Sequence, residues 1–199
     1  MSMKQTPSQT VGPYFAYGLT AQQYHYNHTQ IADAVMVTDT TEGERIRIKG
    51  RVFDGQGQVV NDAMIELWQA NAAGRFNHPN DGRQDRKLDS DFCGFGRCGT
   101  GMTADHHFAF ETIKPGSSEA GKAPYISVIV FMRGLPNHAY TRVYFSDEAA
   151  ANASDSTLNK VDENRRPTLI AQRHETATGI EYHFDIHMQG DQETVFFNF

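Results

Sequence analysis

The chain's 199 residues, 39% hydrophobic and 21% charged, are enough to bury one core and are neither disordered nor membrane-like in composition. A net charge of −6 without a basic run argues against nucleic acid and anionic membranes as partners, so a small anionic substrate must find a local cation. No stretch approaches the roughly 18 apolar residues of a membrane span, and MSMKQTPSQT lacks the apolar run of a secretory signal, so a cytoplasmic protein is expected.

TPSQTVGPYF (residues 6–15) comes first, with two prolines, a glycine and two aromatics but no helical or alternating period. Proline pushes the residue before it toward extended geometry, so the stretch reads as an extended arm that cannot bury Tyr14 and Phe15 within itself. A polar, turn-rich stretch follows to residue 44. RIRIKGRVF then sets Ile46 and Ile48 against Arg45, Arg47 and Lys49, the period of a strand, and a hairpin-type turn follows at Asp54-Gly55-Gln56-Gly57. AMIELWQA is a second apolar strand and carries the only tryptophan, Trp68.

Residues 71–101 hold many glycines and charged groups and are too long for a simple connection, which predicts a functional or interface loop. Cys93 and Cys98 lie within it; without a signal peptide they are expected as reduced thiols, and no zinc spacing surrounds them. HHFAFETIKPG reads as a strand ending in a Lys-Pro-Gly turn. APYISVIVFMRG is the most apolar strand, expected to be central and buried on both faces, with Arg133 at its end. TRVYFSDE is another strand, after which Ser146 and Asp147 can cap a short helix, and Asp155 or Ser156 a second. RPTLIAQRHE suits either strand or helix. IEYHFDIHMQG alternates Tyr182, Phe184, Ile186 and Met188 against His183, Asp185 and His187, and ETVFFNF reads as a last strand. Six to eight strands with little helix predict a mainly β, two-layer sandwich in a single domain, with an arm and polar region over 1–44 and the core over 45–199.

Metal binding by His183, Asp185 and His187 fits their spacing, but a polar face on a half-exposed strand gives the same pattern and is the preferred reading. Asp105, His106 and His107 sit in a turn, and no GxSxG elbow exists to build a hydrolytic triad around them. GFGRCGTG is glycine-rich but opens no helix, so a phosphate loop is not expected.

Taken together, TPSQTVGPYF, GRVFDGQGQVVNDAMIELWQANAAGRF, DFCGFGR, TIKPG, TRVYF and YHFDIHMQGDQETVFF resemble the intradiol aromatic-ring dioxygenases over nearly the whole chain. The resemblance implies a mixed β-sandwich and a ferric ion held by two tyrosines and two histidines. Matched one by one, the family's His-x-His falls on Tyr125 and Ser127, and the tyrosine after the Lys-Pro-Gly turn falls on Ser118. The remaining tyrosine would lie in NDGRQDRKLDSDF, which has none. Ferric iron prefers phenolates and imidazoles, so no metal and no catalytic residue is expected in this chain.

Within the family, that loss implies the alpha subunit of members that open protocatechuate (3,4-dihydroxybenzoate) with O2 to 3-carboxy-cis,cis-muconate. The Fe(3+) is then carried by a beta subunit, the expected partner in a hetero-oligomer. The family's arm motif falls on Thr10, Gly12, Pro13 and Tyr14, which the resemblance places over the partner's active site. A cavity-facing arginine falls on Arg133, whose guanidinium suits the substrate carboxylate. Two other readings stay open on residues alone: a binding or structural sandwich without a catalytic partner, and an independent metalloenzyme using His183 and His187.

Overall fold

Alternation along β1 (Arg45–Phe53) buries Ile46, Ile48 and Val52 and turns the charged side chains outward. The computed structural model describes Thr10, Gly12 and residues 15–198, Ala16 by its backbone alone. Eight further strands follow: β2 (Met64–Trp68), β3 (Phe95–Gly99), β4 (His107–Ile113), β5 (Ile126–Phe131), β6 (Ala139–Phe145), β7 (Ile170–Thr176), β8 (Gly179–His183) and β9 (Ile186–His187).

The hydrogen-bonded order is β3-β2-β5-β6-β7-β8-β1-β4, with β9 paired to β1. The β3-β2-β5-β6 half is antiparallel throughout, whereas β8 runs parallel to β1 and β4 antiparallel to it. The halves are joined by a short parallel seam in which Tyr144 faces Ile170 and Phe145 faces Ala171. One core is shared: Ile65, Leu67, Val128 and Val130 come from the first half, and Ile48, Phe108, Phe110 and Tyr182 from the second. This is the expected two-layer mixed sandwich. Its outer strands are bridged by one segment: the Arg97 N–H donates to the Asp33 carbonyl (3.0 Å), and the Met36 N–H to the Glu111 carbonyl (2.8 Å). That segment covers backbone which would otherwise be an open edge.

Several expectations are corrected. The hairpin-type turn after β1 forms as expected, with Asp54 Oδ1 accepting from the Gln56 and Gln58 N–H groups (2.8 and 2.9 Å) and Phe53 bridging antiparallel to Val59; the next strand, β2, belongs to the other half of the sheet. The supposed loop 71–101 contains β3, whose Gly96 lets Met36 pack against it. β5 is central in its half, yet Ser127, Ile129 and Phe131 are only half-buried, so it is not buried on both faces. Asp147 does not cap the helix α2 (Ala149–Ser154); its carboxylate accepts from the Tyr182 hydroxyl (3.0 Å) and from Lys114 (2.7 Å). Asp155 does cap a turn, accepting from the Thr157 and Leu158 N–H groups at 2.8 and 2.7 Å. RPTLIAQRHE divides into a 3-10 turn (Arg166–Leu169) and β7. The C-terminal stretch contributes one bridge, Tyr140 to Phe197, and not a strand among the described residues. Cys93 and Cys98 are free, as expected of reduced thiols, and burial pushes the Cys98 thiol up to about 11.

Phe15, expected in an extended arm, opens the short helix α1 (Phe15–Leu19). Arg97, paired with Glu66 at 2.6 Å in a nearly closed environment, donates to the Leu19 carbonyl, and Gln23 holds both the N–H and the C=O of Gly99. These bonds fix the Leu19–Gln23 segment on β3.

Candidate functional site

At the end of β5 the chain turns through Met132–Leu135. There the Gly134 N–H donates to Thr10 Oγ1 at 2.9 Å, which brings the arm against the turn carrying Arg133. Arg133 Nε is paired with the Asp62 carboxylate, but its side chain remains 63% exposed. Two of the sequence-predicted substrate residues, Thr10 and Arg133, therefore share one edge. The Gly12 carbonyl accepts from the Phe15 N–H, and a Cβ on Gly12 would meet nothing within 4 Å. Nothing among the described residues demands glycine there. Pro13 and Tyr14 lie outside the described residues.

The positions matched to iron ligands lie in a different region. Ser118 is buried, with no hydrogen bond to its Oγ among the described residues. Its carbonyl accepts from Arg83, and the neighbouring Ser117 carbonyl accepts from Arg86. Arg83 is itself anchored on Asp81, through Nε at 2.7 Å and Nη2 at 2.5 Å, and on the Gly74 carbonyl at 3.0 Å. Hydrogen bonding from Arg83 holds the Asp81 carboxyl well below the usual carboxylate range. Gly74 is required here: its φ is +78°, and a Cβ would lie 2.0 Å from the Ser117 carbonyl oxygen. The segment expected to lack a ligand tyrosine thus closes over Ser117 and Ser118 with two guanidinium groups.

Tyr125 lies under a third. The Arg142 guanidinium sits 4.1 Å from the Tyr125 ring centre and 5.9 Å from that of Phe197. Beyond Tyr125, the buried Tyr144 hydroxyl reaches Asp155 Oδ1 at 3.3 Å, and burial pushes this phenol up to about 12. Ser127 pairs across the strands with Arg142 and lines a cavity of about 510 Å³ with apolar walls that include Trp68 and Ile129. Two serine hydroxyls and a tyrosine ring covered by a cation fit a ferric ion poorly as a donor set.

His183, Asp185 and His187 do line one groove, of about 290 Å³. Each has other work: His183 meets Glu181 at 3.2 Å, Asp185 accepts from the Arg51 N–H at 2.8 Å, and His187 stacks on Phe53. No group of three metal-type ligands converges anywhere among the described residues. His107 pairs with Asp105 at 2.6 Å in an exposed turn. Sequence reasoning missed Arg83, Arg86 and Arg142. The available signal was their position, two in the segment lacking its tyrosine and one in TRVYF, the strand paired with Ser127.

A dioxygenase family profile matches residues 11–138. The protocatechuate 3,4-dioxygenase alpha chain of Burkholderia cepacia is 50% identical over 198 residues, spanning 99% of this chain and 98% of that one. The beta chain from the same organism is 35% identical over 162 residues, 76% of this chain and 67% of its own length. Among solved structures, the dioxygenase domain of a carbohydrate-binding fusion from Streptomyces sp. SirexAA-E aligns with a TM-score of 0.60 at 24% identity, over 96% of this chain and 100% of that domain, a likeness of fold.

Proposed function

Because this chain belongs to the intradiol dioxygenase family, we propose that it is the metal-free alpha subunit of a protocatechuate 3,4-dioxygenase. The observation that carries the reading is the 50% identity to such an alpha chain across essentially the full length of both. The substitutions at Ser118, Tyr125 and Ser127 support it from the chemistry of the residues, since they leave iron to another chain. In this reading a beta-type subunit holds the Fe(3+). The complex converts 3,4-dihydroxybenzoate and O2 to 3-carboxy-cis,cis-muconate, with both oxygen atoms retained in the product, a step of aromatic catabolism.

This chain's contribution is a wall of the substrate pocket. Thr10, Gly12, Pro13 and Tyr14 lie over the partner's site, and Arg133 faces the substrate carboxylate. The contact between Thr10 and Gly134 supports a single surface built from both elements. An exposed ion pair is worth roughly 0–1 kcal/mol, so Arg133 can share or exchange Asp62 for a substrate carboxylate at little cost. Gly12, which no described residue crowds, leaves room for close approach by a neighbour. No described helix is long and apolar enough to cross a membrane. The reading includes a cytoplasmic location, supported by the two free cysteines.

The test is expression of this chain alone and together with a beta-type chain carrying the tyrosine and His-x-His ligands. The lone chain should be colourless and inactive, and the pair should co-purify with iron and cleave protocatechuate. Stoichiometric iron and turnover in the lone chain would overturn the assignment.

A further inference from the structure

Residues 5–32 contain no Asp, Glu, Lys or Arg, so no carboxylate, ammonium or guanidinium of its own can fix this part of the chain. An amide fixes it instead. Gln23, in the 3-10 turn Ala21–Tyr24, accepts from the Gly99 N–H through Oε1 at 2.7 Å and donates from Nε2 to the Gly99 carbonyl at 3.0 Å. Both bonds go to β3, the end strand of its half, where two residues earlier the Arg97 N–H is taken by the Asp33 carbonyl. The Gln23 amide thus satisfies backbone groups that a neighbouring strand would otherwise take. Gly99 makes room for it: a Cβ there would stand 3.3 Å from Gln23 Oε1.

This clamp lies at one end of the sheet edge that carries the arm. Gly99 and Phe131 both stand opposite Met64, so β3, β2 and β5 reach the same edge, about 10 Å from first to last at the usual strand spacing of about 4.8 Å. The Phe131 side leads into the turn where Gly134 holds Thr10, and the Gly99 side carries Gln23. Between these anchors α1 is tied to the clamp. Tyr17 meets the rings of Tyr24 and Tyr26 edge-on, at 5.2 and 5.4 Å, and the Leu19 carbonyl accepts from Arg97. At the start of α1 the Phe15 N–H donates to the Gly12 carbonyl, so direct contacts lead from the clamp to the arm.

We infer that Gln23 is a positioning residue for ring cleavage at the partner's site: it holds the arm, residues 10–14, in register with Arg133. The inference rests on the proposed subunit role, which sets both elements in the wall of the substrate pocket. An arm already anchored in the free chain loses less conformational entropy when partner and substrate close on it, which strengthens binding and leaves the iron chemistry alone. A residue that acts only through the pocket wall alters KM rather than kcat.

The test uses the complex of this chain with a beta-type chain, assayed with protocatechuate. Gln23→Met keeps the side-chain length and makes neither bond; KM should rise at least about fivefold, with kcat within about twofold and iron content unchanged. Gln23→Glu keeps the acceptor for the Gly99 N–H but lacks the donor for its carbonyl, so its KM should fall between those of Gln23→Met and the unaltered complex. An unchanged KM in Gln23→Met would overturn the inference, as would a kcat or iron content that falls in step with the loss of binding, the mark of a merely structural role. Should Gln23→Met fail to assemble, Gln23→Glu decides on the same readouts: a raised KM with kcat and iron kept supports the role, and an unchanged KM ends it. An unaltered complex that cleaves no protocatechuate would sink the subunit reading and this inference together, whereas a cleaving complex indifferent to Gln23 sinks this inference alone.

Discussion

Around Ser117 and Ser118, two guanidinium groups close on backbone carbonyls within their own chain, whereas Arg133 at the end of β5 has one carboxylate partner and is 63% exposed. The two regions place the same side chain in opposite roles. A guanidinium carries five donors in a rigid fork, so inside the fold Arg83 can tie Asp81, Gly74 and Ser118 together, joining segments distant in sequence. At the surface the same fork keeps donors available for a partner or substrate. Inside the fold the charge of Arg83 is balanced by Asp81, and the Arg142 guanidinium lies over the Tyr125 ring.

The comparison is broken most forcefully from the inside. Arg83→Ala removes the partner of a nearly buried carboxylate and several carbonyl contacts, and should lower unfolding stability by about 3 kcal/mol, read from the urea midpoint. Arg83→Lys should recover less than half of this, because an ammonium cannot form the fork. The same pair sets an acid limb. Asp81 titrates lower in the folded chain than in the unfolded one. Its stabilisation is thus complete above the ordinary carboxylate value of about 4 and is lost as pH falls toward the lowered folded value. Asp81→Asn should flatten that part of the stability profile; an unchanged acid limb would place its origin elsewhere.

The outer region should respond in function before stability. Removing residues 1–14 should leave the urea midpoint of the lone chain nearly unchanged, yet reduce capture by the beta-type chain or protocatechuate cleavage about tenfold or more. Arg133→Ala should raise the KM for protocatechuate roughly tenfold, the worth of one charge-assisted contact, with iron content of the complex preserved. Loss of iron instead would mark Arg133 as structural. Asp62→Asn is the mildest change: stability should move by less than about 0.5 kcal/mol, and KM should hold or fall as Arg133 is released.

The faces of β1 and of the strands near the C-terminus were legible in the sequence because strand geometry repeats every two residues. Ile46 and Ile48, and Tyr182, Phe184 and Ile186, are all buried as the alternation requires. β3 was not legible: FGRCG has glycines where a pattern should be, because Gly96 is shaped by the approach of Met36 from another segment. Asp147 looked like a helix cap from its neighbours alone, but its carboxylate is drawn to Tyr182 and Lys114, which the sheet brings beside it. Tertiary partners outbid a local hydrogen bond in that case.

Residue identity supplied the expectation that this chain holds no ferric ion, since hydroxyls, as at positions 118 and 127, are poor ferric ligands. It also marked Thr10 and Arg133 as worth following. Only the folded structure decided that these two meet, that Arg83 and Arg86 close on Ser118 and Ser117, and that Trp68, Ser127 and Arg142 form one row. The reason is physical. Side-chain alternation and ligand chemistry are local properties, whereas strand register and long-range hydrogen bonds depend on which distant segments the shared core brings side by side.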